Sequence, residues 1–144
     1  MSLNYGLAAK RAEYARNAVL SATPARLLTM LYDRLLLDLS RAEAAQQAGN
    51  WQVASEQLIH AQAIIAELSG SLKVQDWEGG ENLQALYGYV LKTMVEANIQ
   101  RSAPLTRECI GILEPLRSAW HEAAAQLPGA APASSGQGGT LGVG

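Results

Sequence analysis

Apolar residues recur along most of the chain at alternating spacings of three and four, which places them on one side of an α-helix. β-branched residues never cluster in alternation with polar ones, so no strand pattern competes with this reading. The pattern covers five segments, at about residues 5–19, 24–48, 50–73, 81–100 and 103–127. Four long helices with short connections predict an all-α fold, an antiparallel four-helix up-and-down bundle preceded by a short N-terminal cap helix.

Residues that favour helix ends separate these segments. Thr23 and Ser102 can accept a hydrogen bond from a free backbone N–H at a helix start, and Pro24 supplies a preset φ in the first turn. Gly49 and Asn50 form a pair suited to a left-handed helix end, and Asn50 can cap the next helix. Three of the four connections are therefore predicted from their own residues.

One face of each long helix is assigned to the core by this spacing. The assigned residues are Leu28, Leu31, Tyr32, Leu35, Leu36 and Leu39 in the first long helix, Ala54, Leu58, Ala61, Ile65, Leu68 and Leu72 in the second, Leu83, Tyr87, Val90, Met94 and Ala97 in the third, and Leu105, Cys109, Ile112, Leu116, Ala119, Ala123 and Leu127 in the fourth. Pro115 lies inside the last helix, and Gly111 four residues earlier favours a kink over a break.

Two of the helices carry more apolar surface than one core face requires. The surplus residues are Met30 and Leu37 in the first long helix and Leu91, Val95 and Ile99 in the third. Tyr87 and Tyr89 are separated by about 200° around their helix, so one of them must leave the core. Two interpretations of these stripes remain open. In one, they form grooves for an amphipathic partner segment. In the other, the N-terminal helix and the C-terminal tail cover them.

Composition divides the chain into a helical domain and a tail. Residues 1–127 form the predicted bundle domain, in which residues 1–22 are the N-terminal cap segment. Residues 128–144 contain no charged side chain and consist largely of Gly, Pro, Ala and Ser. A segment of this composition cannot bury enough apolar area to fold, so it is predicted to be a disordered tail.

Charge, cysteine content and the lengths of apolar runs limit which classes of protein the sequence fits. A net charge of -2 gives no basic surface for nucleic acid. The single cysteine excludes an internal disulfide and fits a reducing compartment. No secretory h-region of about 7 to 15 apolar residues is visible, and no run approaches the roughly 18 that span a membrane. The sequence predicts a cytoplasmic protein without membrane insertion.

The residues that could carry chemistry are few. A di-iron bundle requires Glu-x-x-His on two helices, whereas Glu56 and His60 are four apart and His121 has no Glu three residues before it. Cys109 falls on an apolar seam, where a thiol is inert. We therefore expect no metal, no cofactor and no enzymatic activity. Trp77, in the loop VQDWEGG, either plugs the end of the bundle or meets a partner.

An ordered set of segments resembles the FliS family of flagellar export chaperones. The segments are YARNAV at residues 14–19, ATPARLLTMLYD at 22–33, the L-x-x-A-x-x-I-I-A-E-L pattern at 58–68, LYGYVLKTMVEANI at 86–99, and the Ala119-Trp120 pair. Together they cover about residues 5 to 125 in the family's order. Two residues depart from the family's pattern, Gly88, which weakens its turn of helix, and Pro115, which bends the last helix. Both would affect the path that a bound partner takes over the bundle.

The resemblance implies a cytosolic chaperone that binds the disordered C-terminal segment of flagellin, its client. It also implies that the chaperone prevents premature polymerisation and delivers the client to the flagellar type III export apparatus, where the complex engages the export gate. In this family the N-terminal segment can lie over part of the groove when no client is bound. That role would fall here to the segment around Leu7 and Tyr14, and the client would displace it.

The partner-binding residues expected from the stripes and from the resemblance are Leu7, Tyr14, Asn17, Val19, Met30, Leu37, Tyr87, Tyr89, Leu91, Val95, Asn98 and Ile99. The rival interpretation is a structural or oligomerising bundle whose stripes meet a second copy, and a metal or haem bundle is a more remote one. The sequence leaves open whether a co-chaperone binds and whether the client-free protein forms a homodimer.

Overall fold

A computed structural model of the protein describes residues 2–127, with side chains from residue 6 onward except at positions 15 and 18–21. Its helices are α1 (Ser2–Ser21), α2 (Pro24–Gln47), α3 (Trp51–Ser71), α4 (Gly80–Ile99) and α5 (Ala103–Ala125), with a 3-10 turn at Val74–Asp76. No strand occurs within this part of the chain. The predicted all-α fold is confirmed, and the predicted tail at 128–144 lies outside the described residues.

The four long helices α2 to α5 pack around one core. Both α2 and α4 contact α3 and α5, so α2 and α4 lie on a diagonal of the bundle. Short connections reverse the chain between successive helices, which makes neighbours antiparallel. The largest fully buried apolar side chains, drawn from all four helices, are Tyr32, Tyr87, Leu35, Leu39, Leu58, Ile65, Met94 and Leu113.

Each predicted cap residue closes the start of its helix. The Thr23 hydroxyl accepts a hydrogen bond from the Arg26 N–H at 3.2 Å. The Asn50 carboxamide oxygen accepts from the third residue after it at 3.4 Å, and the Ser102 hydroxyl does the same at 3.2 Å. These bonds satisfy backbone donors that a helix start leaves free, which fixes where α2, α3 and α5 begin.

The ends of α2 and α4 share one backbone motif with different residues at its left-handed position. In α2 this position is Gly49, with φ 76°, as the sequence predicted. In α4 it is Arg101, with φ 53°. In both helices the N–H of the following residue bonds to a carbonyl five residues earlier, at 2.8 and 2.9 Å. A non-glycine residue costs roughly 1 to 2 kcal/mol in this conformation.

The predicted core faces of α3 and α4 are confirmed, except that Leu72 is half-buried. In α2 the four residues from Tyr32 to Leu39 that were assigned to the core are buried, whereas Leu28 and Leu31 are only half-buried. Helix α5 continues through Pro115 without a break.

The predicted core face of α5 is confirmed at Cys109, and Leu105, Ile112 and Leu116 pack against the core from its edge, but the prediction is wrong for the C-terminal half of the helix. Its buried residues are Thr106, Cys109, Ile110 and Leu113, whereas Ala119, Ala123 and Leu127 are exposed and Leu105, Ile112 and Leu116 are half-buried. The Thr106 hydroxyl donates to the Gln46 side-chain oxygen at 2.7 Å, and the Gln46 amide donates to the Ala97 carbonyl at 3.1 Å. Because these buried polar groups satisfy one another, a polar residue lies where the apolar pattern excluded one.

The loop between α3 and α4 folds back over the start of α4. At Gly80 the backbone lies so close to the Val74 carbonyl that an added Cβ would collide with it. The Trp77 ring contacts the Trp120 ring edge-on, with centroids 6.4 Å apart. Trp120 in turn lies 6.4 Å from the Tyr32 ring. Trp77 thus packs at the end of the bundle, and 46% of its surface remains exposed.

Candidate client-binding surface

The two apolar stripes lie on opposite sides of the bundle. On α2, Leu37 is exposed and Met30 is half-buried, both opposite the core face. On α4, Val95 and Ile99 are exposed, Ile99 by 75%, and Leu91 is half-buried beside them. Because α2 and α4 occupy a diagonal, their outward faces point away from each other. No single flat groove can therefore include both stripes.

The two tyrosines of α4 separate as predicted, one into the core and one out of it. Tyr87 is buried, and its hydroxyl lies 2.6 Å from that of Tyr32. Burial, followed by this hydrogen bond, raises the pKa of Tyr87. Tyr89 is half exposed and donates a hydrogen bond to the Glu108 carboxylate on α5, which raises the pKa of Tyr89. Tyr89 thus lies toward α5, apart from the stripe of Leu91.

A cleft of about 530 Å³ opens at the end of the bundle where α2 and α4 begin and α3 ends; we call it the loop-end cleft. Its lining is mostly apolar, with Glu67, Lys73 and Asp76 among the polar members. The apolar and aromatic residues that line it are Pro24, Leu27, Leu28, Leu31, Leu68, Leu72, Trp77, Leu83, Tyr87 and Trp120. Tyr87, expected to meet a partner, can do so only from this cleft.

The loop-end cleft was not predicted as a site from the sequence. Leu28 and Leu31 have the spacing of core residues, and their half-exposure arises because the neighbouring helices leave the end of the bundle open. Trp77 was the one available signal, since an aromatic residue in a polar loop needs an apolar surface to pack on. On α3, Ile59 (57% exposed) and Val53 (37% exposed) add apolar surface that the predicted set also omitted.

Helix α1 presents its described side chains to solvent. All the side chains described in it, at positions 6–14, 16 and 17, are exposed. Leu7 is 48% exposed and Tyr14 is 84% exposed, so neither covers an apolar stripe of the bundle in this structure. Asn17 is exposed as well, and the side chain of Val19 lies outside the described set. At 20 residues, α1 is also longer than the predicted cap helix.

Ion pairs join the helices between these apolar surfaces. Asp38, fully buried on α2, accepts from Arg34 at 2.9 Å and pairs with His60 on α3. Asp33 on α2 accepts from Arg117 and from His121 on α5, each at 2.7 Å. Burial alone would raise the pKa of Asp33, but its hydrogen bonds to His121 and Arg117 lower it. Both histidines therefore have structural partners.

The one cysteine of the sequence, Cys109, lies in a buried and unreactive environment. Burial raises the pKa of the Cys109 thiol to about 12, so it remains protonated and shielded near the Val90 carbonyl. Among residues 2–127, no three His, Cys, Asp or Glu side chains converge in a way that could hold a metal ion. In the same range, no helix has the length and apolar character needed to cross a membrane.

Comparison with known proteins identifies the family. Residues 7–127 match the family model described as flagellar protein FliS. The flagellar secretion chaperone FliS of Bacillus subtilis is 34% identical over 110 residues, which cover 76% of this chain and 82% of that protein. The Salmonella typhimurium chaperone of the same name is 33% identical over 110 residues, or 74% of this chain and 80% of its own length. The chain belongs to the FliS family of flagellar chaperones, and its role in flagellar export is that of a chaperone, not of an enzyme.

Proposed function

We propose that the protein binds the disordered C-terminal segment of flagellin in the cytoplasm, prevents its premature polymerisation and delivers it to the flagellar type III export gate. The observation that carries this proposal is the diagonal placement of the two apolar stripes, on α2 and on α4. A partner that contacts both must pass around the bundle, which a folded domain with one flat interface cannot do.

The length of that path suits an extended chain. With helix axes about 8 to 10 Å apart, half the circumference of a four-helix bundle is roughly 40 Å. An extended chain covers about 3.3 Å per residue, so on the order of 12 residues connect the two stripes. A disordered segment can follow such a route and order on binding, whereas the cost of ordering keeps its affinity moderate.

The surfaces along that route suit a partner that becomes partly helical. Leu91, Val95 and Ile99 recur every four residues, so they form a continuous apolar stripe that is inclined by about 26° to the axis of α4. The loop-end cleft adds a concave apolar site with aromatic walls. An amphipathic helix can place its own apolar stripe against either surface. Met30 on α2 and Tyr89 on α4 are adaptable contacts, because methionine is flexible and tyrosine keeps a polar tip.

The proposal includes a competing role for helix α1. This helix ends at Ser21, and Pro24, which begins α2, lines the loop-end cleft. A connection of only two residues, 22 and 23, joins α1, which carries the exposed Leu7 and Tyr14, to the helix that lines this cleft. In this proposal α1 and the client exchange places, and such competition lowers the apparent affinity for the client.

Titration calorimetry with a peptide from the C-terminal segment of the organism's own flagellin tests this function. Binding should show a large negative heat-capacity change, because apolar area is buried, and circular dichroism should show a gain of helix. Absence of binding at concentrations on the order of tens of micromolar, together with stable self-association, would instead establish the oligomerising bundle.

A further inference from the structure

A second and smaller cleft lies at the opposite end of the bundle from the loop-end cleft. It has a volume of about 320 Å³ and lies where α2 and α4 end and α3 begins. Its lining includes Gln46, Trp51, Ser55, Asn98, Ile99 and Arg101. We call it the Arg101 cleft. Asn98 and Ile99 belong to the expected partner-binding set, so this cleft continues the α4 stripe.

Arg101 occupies this cleft in an unusual backbone conformation. Its φ of 53° is left-handed, and the equivalent position at the end of α2 is Gly49. The guanidinium carbon lies 5.2 Å from the centre of the Trp51 ring, which holds the side chain over the cleft. Because glycine would hold this position with less strain, the arginine there motivates the hypothesis that its side chain has a role besides ending α4.

The Arg101 guanidinium differs from those of the three arginines that form ion pairs on the long helices. Arg34, Arg107 and Arg117 each pair with a carboxylate. Within residues 2–127, Arg101 has no carboxylate partner, and the lining of its cleft includes no acidic residue. By contrast, the loop-end cleft has Glu67 and Asp76 beside Lys73. The two ends of the bundle therefore differ in the charge that they offer to a partner.

Two uncharged polar side chains lie beside the Arg101 guanidinium in this cleft. The Asn98 amide and the Ser55 hydroxyl are both half-buried, and in the described part of the chain neither has a hydrogen-bond partner. Gln46, in the same lining, already uses its amide for Ala97 and its oxygen for Thr106. The cleft thus combines a planar cationic fork with two free polar side chains, the donor set that binds a carboxylate.

We propose that the Arg101 cleft binds a carboxylate group of the client segment, which rests on the proposed function. Two N–H groups of Arg101 donate to the carboxylate, Asn98 and Ser55 donate to its remaining lone pairs, and Ile99 contacts the adjoining apolar residue. The carboxylate is either the C-terminus of the peptide or an Asp or Glu side chain. Because the loop-end cleft is acidic, this contact fixes the direction in which the client lies along the bundle.

Calorimetry with matched peptides and variants tests the carboxylate contact. Arg101→Gln should weaken binding of the flagellin C-terminal peptide on the order of tenfold, the loss expected for a charge-assisted pair. Arg26→Gln makes the same charge change at the other end of the bundle, and it should change affinity less than about twofold. Repeating the titrations with a C-terminally amidated peptide, and with peptides carrying Asp→Asn and Glu→Gln changes, identifies the source of the carboxylate.

The outcome that supports the proposal is a loss on Arg101→Gln that disappears when one of these peptide carboxylates is neutralised. If Arg101→Gln leaves binding of the unmodified peptide unchanged, or weakens binding of every neutralised peptide equally, the proposal is overturned and flagellin binding stands. If the wild-type protein binds no peptide, the proposed function fails and this contact fails with it.

A second variant separates binding from folding. Arg101→Gly relieves the strain of the left-handed backbone, so it should raise the melting temperature of the protein. It should also weaken binding of the peptide as much as Arg101→Gln does. A variant with a higher melting temperature and unchanged affinity would show that Arg101 only packs on Trp51, and would overturn the proposal.

Discussion

The hydroxyl of Tyr32 on α2 lies 2.6 Å from the hydroxyl of Tyr87 on α4, inside the core. These two helices occupy opposite corners of the bundle, so the hydrogen bond crosses its centre. It satisfies two polar groups that would otherwise be buried without a partner, and it holds the register of the two helices that carry the apolar stripes.

Breaking this pair should destabilise the fold. Tyr87→Phe leaves the Tyr32 hydroxyl buried and unpaired, so the free energy of unfolding should fall by about 1 to 3 kcal/mol. The double variant Tyr32→Phe/Tyr87→Phe removes both polar groups and should lie closer to wild type than the single variant does. Urea denaturation measures both values, and strictly additive losses would show that the hydroxyls do not interact.

The same pair predicts a dependence on alkaline pH. Burial raises the pKa of both Tyr32 and Tyr87 in the folded state. A folded-state pKa above the unfolded value of about 10 contributes stability that is fully present below pH 10 and is lost as the pH rises above it. The free energy of unfolding should therefore decline above about pH 10, and less steeply in the double Phe variant. Equal declines in the two proteins would contradict this assignment.

Two glycines of α4 should respond oppositely to alanine. Gly80→Ala brings a Cβ against the Val74 carbonyl, so the loop must move and stability should fall by about 1 to 3 kcal/mol. Gly88→Ala meets nothing within 4 Å on an exposed helical face, and it should raise stability by about 0.5 to 1 kcal/mol. Thermal unfolding measures both changes. A stable Gly80→Ala protein would show that the loop does not pack as described.

The stripe on α2 should matter for binding and not for folding. Leu37 is 41% exposed on the face opposite the core. Leu37→Asp should therefore weaken binding of the flagellin peptide by about tenfold. It should lower the free energy of unfolding by less than about 1 kcal/mol. Ser40→Asp adds the same charge on the same helix without removing apolar surface, and it should leave affinity nearly unchanged. If Leu37→Asp unfolds the protein, Leu37 belongs to the core.

The sequence predicted the features that depend on spacing along one helix. The core face of α4 and the departure of Tyr89 from it follow from the helical period alone. The sequence-based prediction was wrong where contacts between helices determine whether a side chain is buried. Thr106 enters the core because Gln46 of another helix satisfies it, and Leu28 and Leu31 line a cleft because the end of the bundle is open. The left-handed backbone at Arg101 could not be predicted from the residue type, because Gly or Asn usually occupies such a position.

The proposed function requires that one client segment contact both sides of the bundle. Methyl-labelled protein, titrated with the flagellin C-terminal peptide, tests it through the NMR signals of Leu37 on α2 and Ile99 on α4. Both signals should shift together and saturate at one peptide per chain. If only one of them shifts, or if both shift on concentrating the protein without peptide, the client does not pass around the bundle and the claim is contradicted.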